Sequence, residues 1–308
     1  TFSGNSSRLW PVIRSIVRLG LNSVNEIHCV TAQDLQTLQR LGVTSKALVV
    51  GDTRYDQVLF RLRNSKPLKA NKDPRKRNSL VMLCGSTWPQ DEKVLLQAVA
   101  KLNEKFKSPN SIECQNSKDS QKNLKVVFVF VPHEVDSSHI LHLESEIQSL
   151  GLTSLRYSSE ESFCNQDILI VDRVGILAEL YQISSLAFVG GSFKWQVHSV
   201  MEALACGLIT LVGPHYKNNR EAIEYSQFEV SPARVTLNNT PADPAAYSLN
   251  AVEVVRSSDQ IVQIVTQLLT NPDILPLAHK KISNSFALKT KRTQDVVTWV
   301  RKNCLLPS

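Results

Sequence analysis

The stretch Ala187–Arg220, AFVGGSFKWQVHSVMEALACGLITLVGPHYKNNR, gathers more usable chemistry than any other part of the chain. An apolar run ends in Gly190-Gly191-Ser192, a short loop with Lys194 and Trp195 follows, and the pattern predicts a helix opening at His198. Paired glycines let a ligand approach the backbone, because no Cβ intervenes. A helix N-terminus adds free N–H groups and partial positive charge, which suits phosphate. His198 and Glu202 stand four apart and would share one helix face. A carboxylate there could accept both ribose hydroxyls of a nucleotide, with the imidazole nearer the phosphate. The same residues fit an ordinary strand–helix joint, with Ser199-Val200-Met201-Glu202 as a capping box and Glu202 purely structural.

Three other apolar runs end in similar residues. Cys84-Gly85-Ser86-Thr87 offers backbone N–H groups and two hydroxyls to an anion, or a plain helix N-cap. Val131-Pro132-His133-Glu134 places His133 where it could donate to an anion or simply face water. Asp172-Arg173-Val174-Gly175 enters the next helix. Gly51-Asp52-Thr53-Arg54 closes an earlier run, and Arg54 could reach a phosphate or stand as a surface residue in a first helical turn.

The elements that must position these groups follow from hydropathy. Ile27–Val30, Ala47–Val50, Leu80–Leu83, Val126–Val131, Ile168–Val171, Leu186–Val189 and Leu208–Val212 are short and continuously apolar. That is the pattern of strands buried on both faces of a parallel sheet. Helical stretches alternate with them at Ala32–Leu41, Gln90–Phe106, Ser137–Leu150, Ile176–Ile183, His198–Cys206 and Asn218–Tyr225. Alternation of this kind predicts an α/β fold with a Rossmann-like, doubly wound parallel sheet. The strand ends at 84, 132, 173 and 190 would then point the same way, so their chemistry converges on one edge. Asp259–Leu269, Ile274–Leu288 and Gln294–Lys302 read as helices without intervening strands.

Between residues 64 and 78 the chain carries six basic residues against one acidic, with two prolines, and reads as a basic linker. The expected division is residues 1–63 as the end of a first domain, 79–289 as a second domain, and 290–308 as a C-terminal helix. Lys107–Asn123 reads as a polar excursion and Ser231–Asn250 as an irregular insertion. The 308 residues carry 42% hydrophobic and 20% charged residues, which excludes disordered and fibrous classes. No apolar run approaches a membrane span. The net charge of +7 favours anionic partners. Nucleic acid is not expected, since the basic cluster has no interleaved aromatics. An anionic membrane surface suits Lys66–Arg77 at least as well. Six scattered cysteines form no CxxC or Cys/His spacing, so zinc is not expected, and with no Asp/Glu/His cluster no other metal cofactor is expected.

Seven segments in order are VTAQDLQTLQRLGV, VVGDTRYDQV, CGSTWPQDE, VPHE, DRVGILAELY, AFVGGSFKWQVHSVMEA and GPHYKNNREA. Together they resemble the 3-deoxy-D-manno-octulosonic acid (Kdo) transferases of lipopolysaccharide core biosynthesis, over residues 1 to about 230. The resemblance implies the two-domain GT-B glycosyltransferase fold, in which the C-terminal domain binds CMP-Kdo and the N-terminal domain binds a lipid A precursor. It implies inverting transfer at the cytoplasmic face of the inner membrane of a Gram-negative bacterium. The general-base glutamate is expected upstream of Thr1, so no catalytic residue is assigned within this chain. By position, Arg54, Ser86, His133, Gly175, Gly190, Gly191, Ser192, His198 and Glu202 match the family around the donor. Ser199 departs from the asparagine that usually follows the motif histidine, and VPHE departs from an arginine-rich version. Two alternatives remain: another GT-B enzyme using a UDP-sugar (a glycosyltransferase or sugar-nucleotide epimerase), or a non-catalytic nucleotide-binding remnant.

Overall fold

Five of the seven continuously apolar runs pair into one sheet covered on both sides, and the two nearest the start of the chain form a separate pair that leaves Leu48 and Val49 exposed. The computed structural model describes residues 11–66, 68–77, 79–107, 126–231 and 248–303. Most of the two excursions expected around 107–123 and 231–250 therefore lies outside the described residues. The chain forms two compact units, residues 1–57 with 287–308, and residues 58–286.

The first unit contains α1 (Pro11–Asn22), β1 (Glu26–Cys29), α2 (Ala32–Leu41), β2 (Lys46–Val49) and the start of α3 (Arg54–Arg63). β1 and β2 pair in parallel, with α2 as the crossover. A reciprocal capping box starts α2: Thr31 Oγ1 accepts from Asp34 N at 3.2 Å, and Asp34 Oδ2 accepts from Thr31 N at 3.0 Å. The C-terminal helix of the chain, Arg292–Asn303, belongs to this unit. The Asp56 carboxylate caps it, accepting from Lys291 N at 2.5 Å and Thr293 N at 2.8 Å. Burial raises the Asp56 pKa, but these N–H groups outweigh burial and hold it below its ordinary value.

The second unit is built on β3 (Leu80–Thr87), α4 (Pro89–Lys107), β4 (Val126–Pro132), α5 (Ser137–Ser149), β5 (Ser154–Arg156), β6 (Ile168–Ile170), α6 (Leu177–Gln182), β7 (Leu186–Val189), α7 (Met201–Ala205), β8 (Ile209–Val212), α8 (Arg220–Tyr225), β9 (Glu229–Ser231), β10 (Leu249–Asn250), β11 (Val252–Val254), α9 (Ser258–Thr270) and α10 (Ile274–Ala287). The C-terminal helix is accordingly α11. Among the described residues, seven strands form one parallel sheet in the order β11-β8-β7-β3-β4-β6-β5. The expected α/β class and doubly wound parallel sheet are thus present, and all seven apolar runs are strands. Short β5 and β11, three residues each, extend the sheet beyond the expected strands.

The order fixes where a ligand can enter. From β3 the chain moves outward to β4, then returns to β7 on the opposite side of β3, and continues outward to β8. The connections after β3 and β7 therefore diverge, opening a crevice at their carboxyl ends. The segment between residues 64 and 78 packs within this second unit. It forms short helical turns at Ala70–Lys72 and Pro74–Arg77. Lys72 is buried and donates to the carbonyls of Glu161 at 2.6 Å and Arg156 at 3.2 Å. Among the described residues, no helix is long and apolar enough to cross a membrane.

Candidate functional site

β3 and β7 approach each other closely at the switch point. Gly190 N donates to Gly85 O at 2.9 Å, and a Cβ on Gly190 would stand 2.2 Å from Ser86 O. Ser86 itself adopts φ 54, a left-handed conformation uncommon for a residue with a side chain. It sits at the irregularity between Gly85 and Thr87 where the β3–β4 register shifts. The backbone bends here instead of running straight out of the sheet. This leaves Ser86 and Trp88 half-buried at the mouth of the crevice.

His133 and His198 meet at this mouth. Their rings stack with centroids 4.6 Å apart, and Trp88 stacks on His133 at 4.7 Å. The Trp88 indole N–H donates to His198 Nε2 at 3.1 Å. Indole nitrogen is a donor only, so Nε2 must offer a lone pair and the neutral ring carries its proton on Nδ1. Burial, with His133 beside it, pulls the His198 pKa below its ordinary value and favours that neutral form. Lys194 adds the positive charge, its Nζ 3.2 Å from the centroid of the Trp88 ring.

The turn after β7 is held from within. Gly191, at φ 85, accepts N–H groups from Lys194, Trp195 and Gln196 on its carbonyl. Its own N–H donates to Asp91 Oδ2 at 2.7 Å, and Phe193 N donates to Asp91 Oδ1 at 2.9 Å. The buried Ser192 hydroxyl donates to Val189 O and accepts from Gly213 N. The N–H groups of Gly190, Gly191 and Phe193 are thus spent inside the protein. The expectation that Gly190–Ser192 seats phosphate on its backbone finds the donors of Gly190 and Gly191 already partnered.

A second expectation is corrected. The helix does not begin at His198: α7 starts at Met201, has five residues, and is preceded by Val200 without a side-chain cap. His198 and Glu202 therefore do not share a helix face. Residues 196–198 stay outside the helix because neighbouring groups bind them. Val197 N donates to His215 O, the Asn218 amide pairs with both backbone groups of Val197, and Asn219 Nδ2 donates to His198 O. The capping box at Ser199 is absent as well, since Glu202 turns instead to Arg61 Nη1 at 2.5 Å.

Gly175 lies exposed at φ 86, past the end of β6. The chain then returns through α6, which places Leu177 Cδ1 and Tyr181 Oη within 3.2 Å of where a Gly85 Cβ would stand. Arg54 lies in the first unit, its guanidinium held by Asp52 at 2.6 to 3.1 Å. The sequence reading missed Trp88, Asp91, Arg61, Asn218 and Asn219 as contributors to this cluster. Pro89 followed by Asp91 was a usable signal, since proline at the first helical position and a carboxylate two residues on mark a helix start. Among the described residues, no group of three or more His, Cys, Asp or Glu side chains could hold a metal ion.

No protein-family model matches the chain. It is 28% identical over 230 residues to the 3-deoxy-D-manno-octulosonic acid transferase of Chlamydophila psittaci, covering 72% of this chain and 47% of that protein. The chain is a relative of the Kdo transferases. The Kdo transferase of Rickettsia felis is 23% identical over 286 residues, covering 87% of this chain and 57% of that protein. The chain spans about half the length of the curated Kdo transferases it matches. Among solved structures, it is similar to the C-terminal CMP-Kdo binding domain of WaaA from Acinetobacter baumannii, with TM-score 0.48 and 20% identity, covering 74% of this chain and 97% of that one.

Proposed function

We propose that this chain carries the donor site of a Kdo transferase, binding CMP-Kdo so that Kdo can pass to a lipid A precursor. The observation that carries the reading is the placing of Ser86, His133 and His198 together at the β3/β7 switch point of a parallel sheet. That crevice is where doubly wound sheets take nucleotides. The sequence relationship to Kdo transferases supports CMP-Kdo as the nucleotide sugar.

In this reading the two histidines, Lys194 and the Ser86 hydroxyl meet the phosphate, because the N–H groups of Gly190, Gly191 and Phe193 are already used. The Nδ1–H of neutral His198 is a hydrogen-bond donor to a phosphate oxygen. As the bond from the Kdo anomeric carbon to that phosphate breaks, negative charge grows on the leaving CMP. Fixed donors aimed at that charge lower the barrier. Glu202 accepts from the ribose hydroxyls while Arg61 holds its carboxylate. The transfer inverts the anomeric centre, and the general-base glutamate belongs to a part of the enzyme outside this chain. The whole enzyme pairs two domains in the GT-B manner and works at the cytoplasmic face of the inner membrane, without a metal cofactor.

Isothermal calorimetry with CMP, and with UMP and UDP as controls, tests the reading. Selective CMP binding that weakens in Glu202→Ala is the expected result. Preference for UDP, or no binding by a chain shown to be folded, would overturn it.

A further inference from the structure

Asp91 is a wholly buried carboxylate that the reading above does not use. It stands at the third position of α4, where a carboxylate commonly reaches back to the N-cap N–H. It does so here, with Oδ2 accepting from Trp88 N at 3.0 Å. A cap would need nothing more. Yet Oδ2 also accepts from Gly191 N at 2.7 Å, and Oδ1 accepts from Phe193 N at 2.9 Å, a hundred residues along the chain. One carboxylate thus ties the β3–α4 joint to the turn after β7.

Both tied segments bear on the same ring. Trp88 supplies the indole N–H that occupies His198 Nε2. Gly191 lies against the same edge of the ring, where a Cβ would come 3.0 Å from His198 Cδ2 and 3.1 Å from Nε2. The main chain of His198 is in turn fixed to Gly190 O at 3.1 Å. Of the other titratable groups here, His133 stacks on the ring, and Lys194 lies over Trp88. Burial raises the Asp91 pKa, and the three N–H bonds pull it back.

We propose that Asp91 is a positioning residue that holds Trp88 and Gly191 about His198, fixing the tautomer and orientation in which His198 meets the donor phosphate. The link to phosphate rests on the donor-site reading; the hold on His198 does not. Asp91→Asn keeps the shape but removes one acceptor. Its single oxygen would stay with the two donors on the Oδ2 side, leaving the amide NH2 facing Phe193 N–H, donor against donor.

Nitrogen-detected NMR of the histidine rings across pH decides the matter. In Asp91→Asn the His198 Nε2 should lose the signature of an occupied acceptor, and the His198 titration should differ from that of the wild type. CMP binding should weaken about tenfold, the size expected when one buried polar contact is lost. Asp91→Glu, which retains both acceptor oxygens, should restore much of the His198 behaviour. Glu92→Gln is the control, being equally buried but bonded to Thr87 and His139 instead. It should lower the Tm and leave the His198 titration unmoved. An unchanged His198 titration in Asp91→Asn, or an equal shift in Glu92→Gln, would overturn the proposal. Should Asp91→Asn fail to fold, Asp91→Glu decides: recovery of the wild-type His198 signature supports the proposal, and a signature like that of Trp88→Phe overturns it. If the wild type binds no CMP, the donor-site reading falls while the His198 measurement still tests the role of Asp91.

Discussion

Replacing Gly190 with alanine puts the β3/β7 junction under the most direct test. The added Cβ would stand 2.2 Å from Ser86 O, 2.7 Å from Ser86 C and 2.7 Å from Thr87 Cα. All three are backbone atoms, so no side chain can swing away. Ordinary carbon–oxygen contact needs roughly 1 Å more, and the strands must separate by about that much. Forcing an extra carbon into a packed site costs about 1–3 kcal/mol. Separation also weakens the 2.9 Å bond from Gly190 N to Gly85 O, a further contribution of about 1 kcal/mol. The sum is roughly 2–4 kcal/mol. For a unit of about 200 residues this lowers the Tm by roughly 5–15 °C, at about 2–4 °C per kcal/mol. Thermal unfolding followed by circular dichroism measures it, with urea titration as a second readout. Gly20→Ala is the contrast, since nothing lies within 4 Å of its Cβ position in α1. There the Tm should hold or rise, because alanine favours a helix interior by about 0.5–1 kcal/mol. A Gly190→Ala protein melting within a degree of wild type would refute the close approach and the crevice geometry built on it.

Three further outcomes follow from the same geometry. Ser86→Gly should raise stability by about 1 kcal/mol, because Ser86 holds φ 54, while weakening CMP binding through the lost hydroxyl; a melt and a calorimetric titration read both, and equal affinity would remove Ser86 from the donor site. Arg61→Met should cost no more than about 0.5 kcal/mol, since the Arg61 side chain is 59% exposed, and should leave a CMP affinity above that of Glu202→Ala; equal losses of affinity in the two variants would reduce Glu202 to a partner of Arg61. His198 titrates below its unfolded value of 6.5, so the unfolded state takes up protons first as pH falls, and stability drops on acidification from about 6.5 downward. His198→Gln should flatten that part of the curve in urea melts at stepped pH, and an unchanged slope would contradict the buried neutral ring.

The parallel sheet was legible because strands such as Phe128–Val131 and Leu186–Val189 are apolar at every position, the pattern of burial on both faces. Ser154–Arg156 and Val252–Val254 escaped notice because each is only three residues long and carries a charged residue, too little for a period to show. The gathering of His133 and His198 followed from strand direction alone. The start of α7 did not, because Ser199-x-x-Glu202 is a sound local signal that distant partners override. Arg61 takes Glu202, while Asn218 and Asn219 hold the backbone of Val197 and His198 outside the helix. Lys72 teaches a similar lesson. Its neighbours' charge suggested an exposed linker, whereas two carbonyls from across the unit bury its ammonium group. The N–H of Gly191 is taken for the same reason. Sequence shows where N–H groups stand, not that a carboxylate a hundred residues away has occupied them.

The most direct test of the donor site follows the histidine ring resonances as CMP is added. His133 and His198 should move together and saturate at the calorimetric affinity. His139, bonded to Glu92, and His279, beside Gly207 at the opposite end of the strands, should stay in place. CMP binding that leaves His133 and His198 unmoved, or binding no tighter than that of UMP and UDP, would contradict the account.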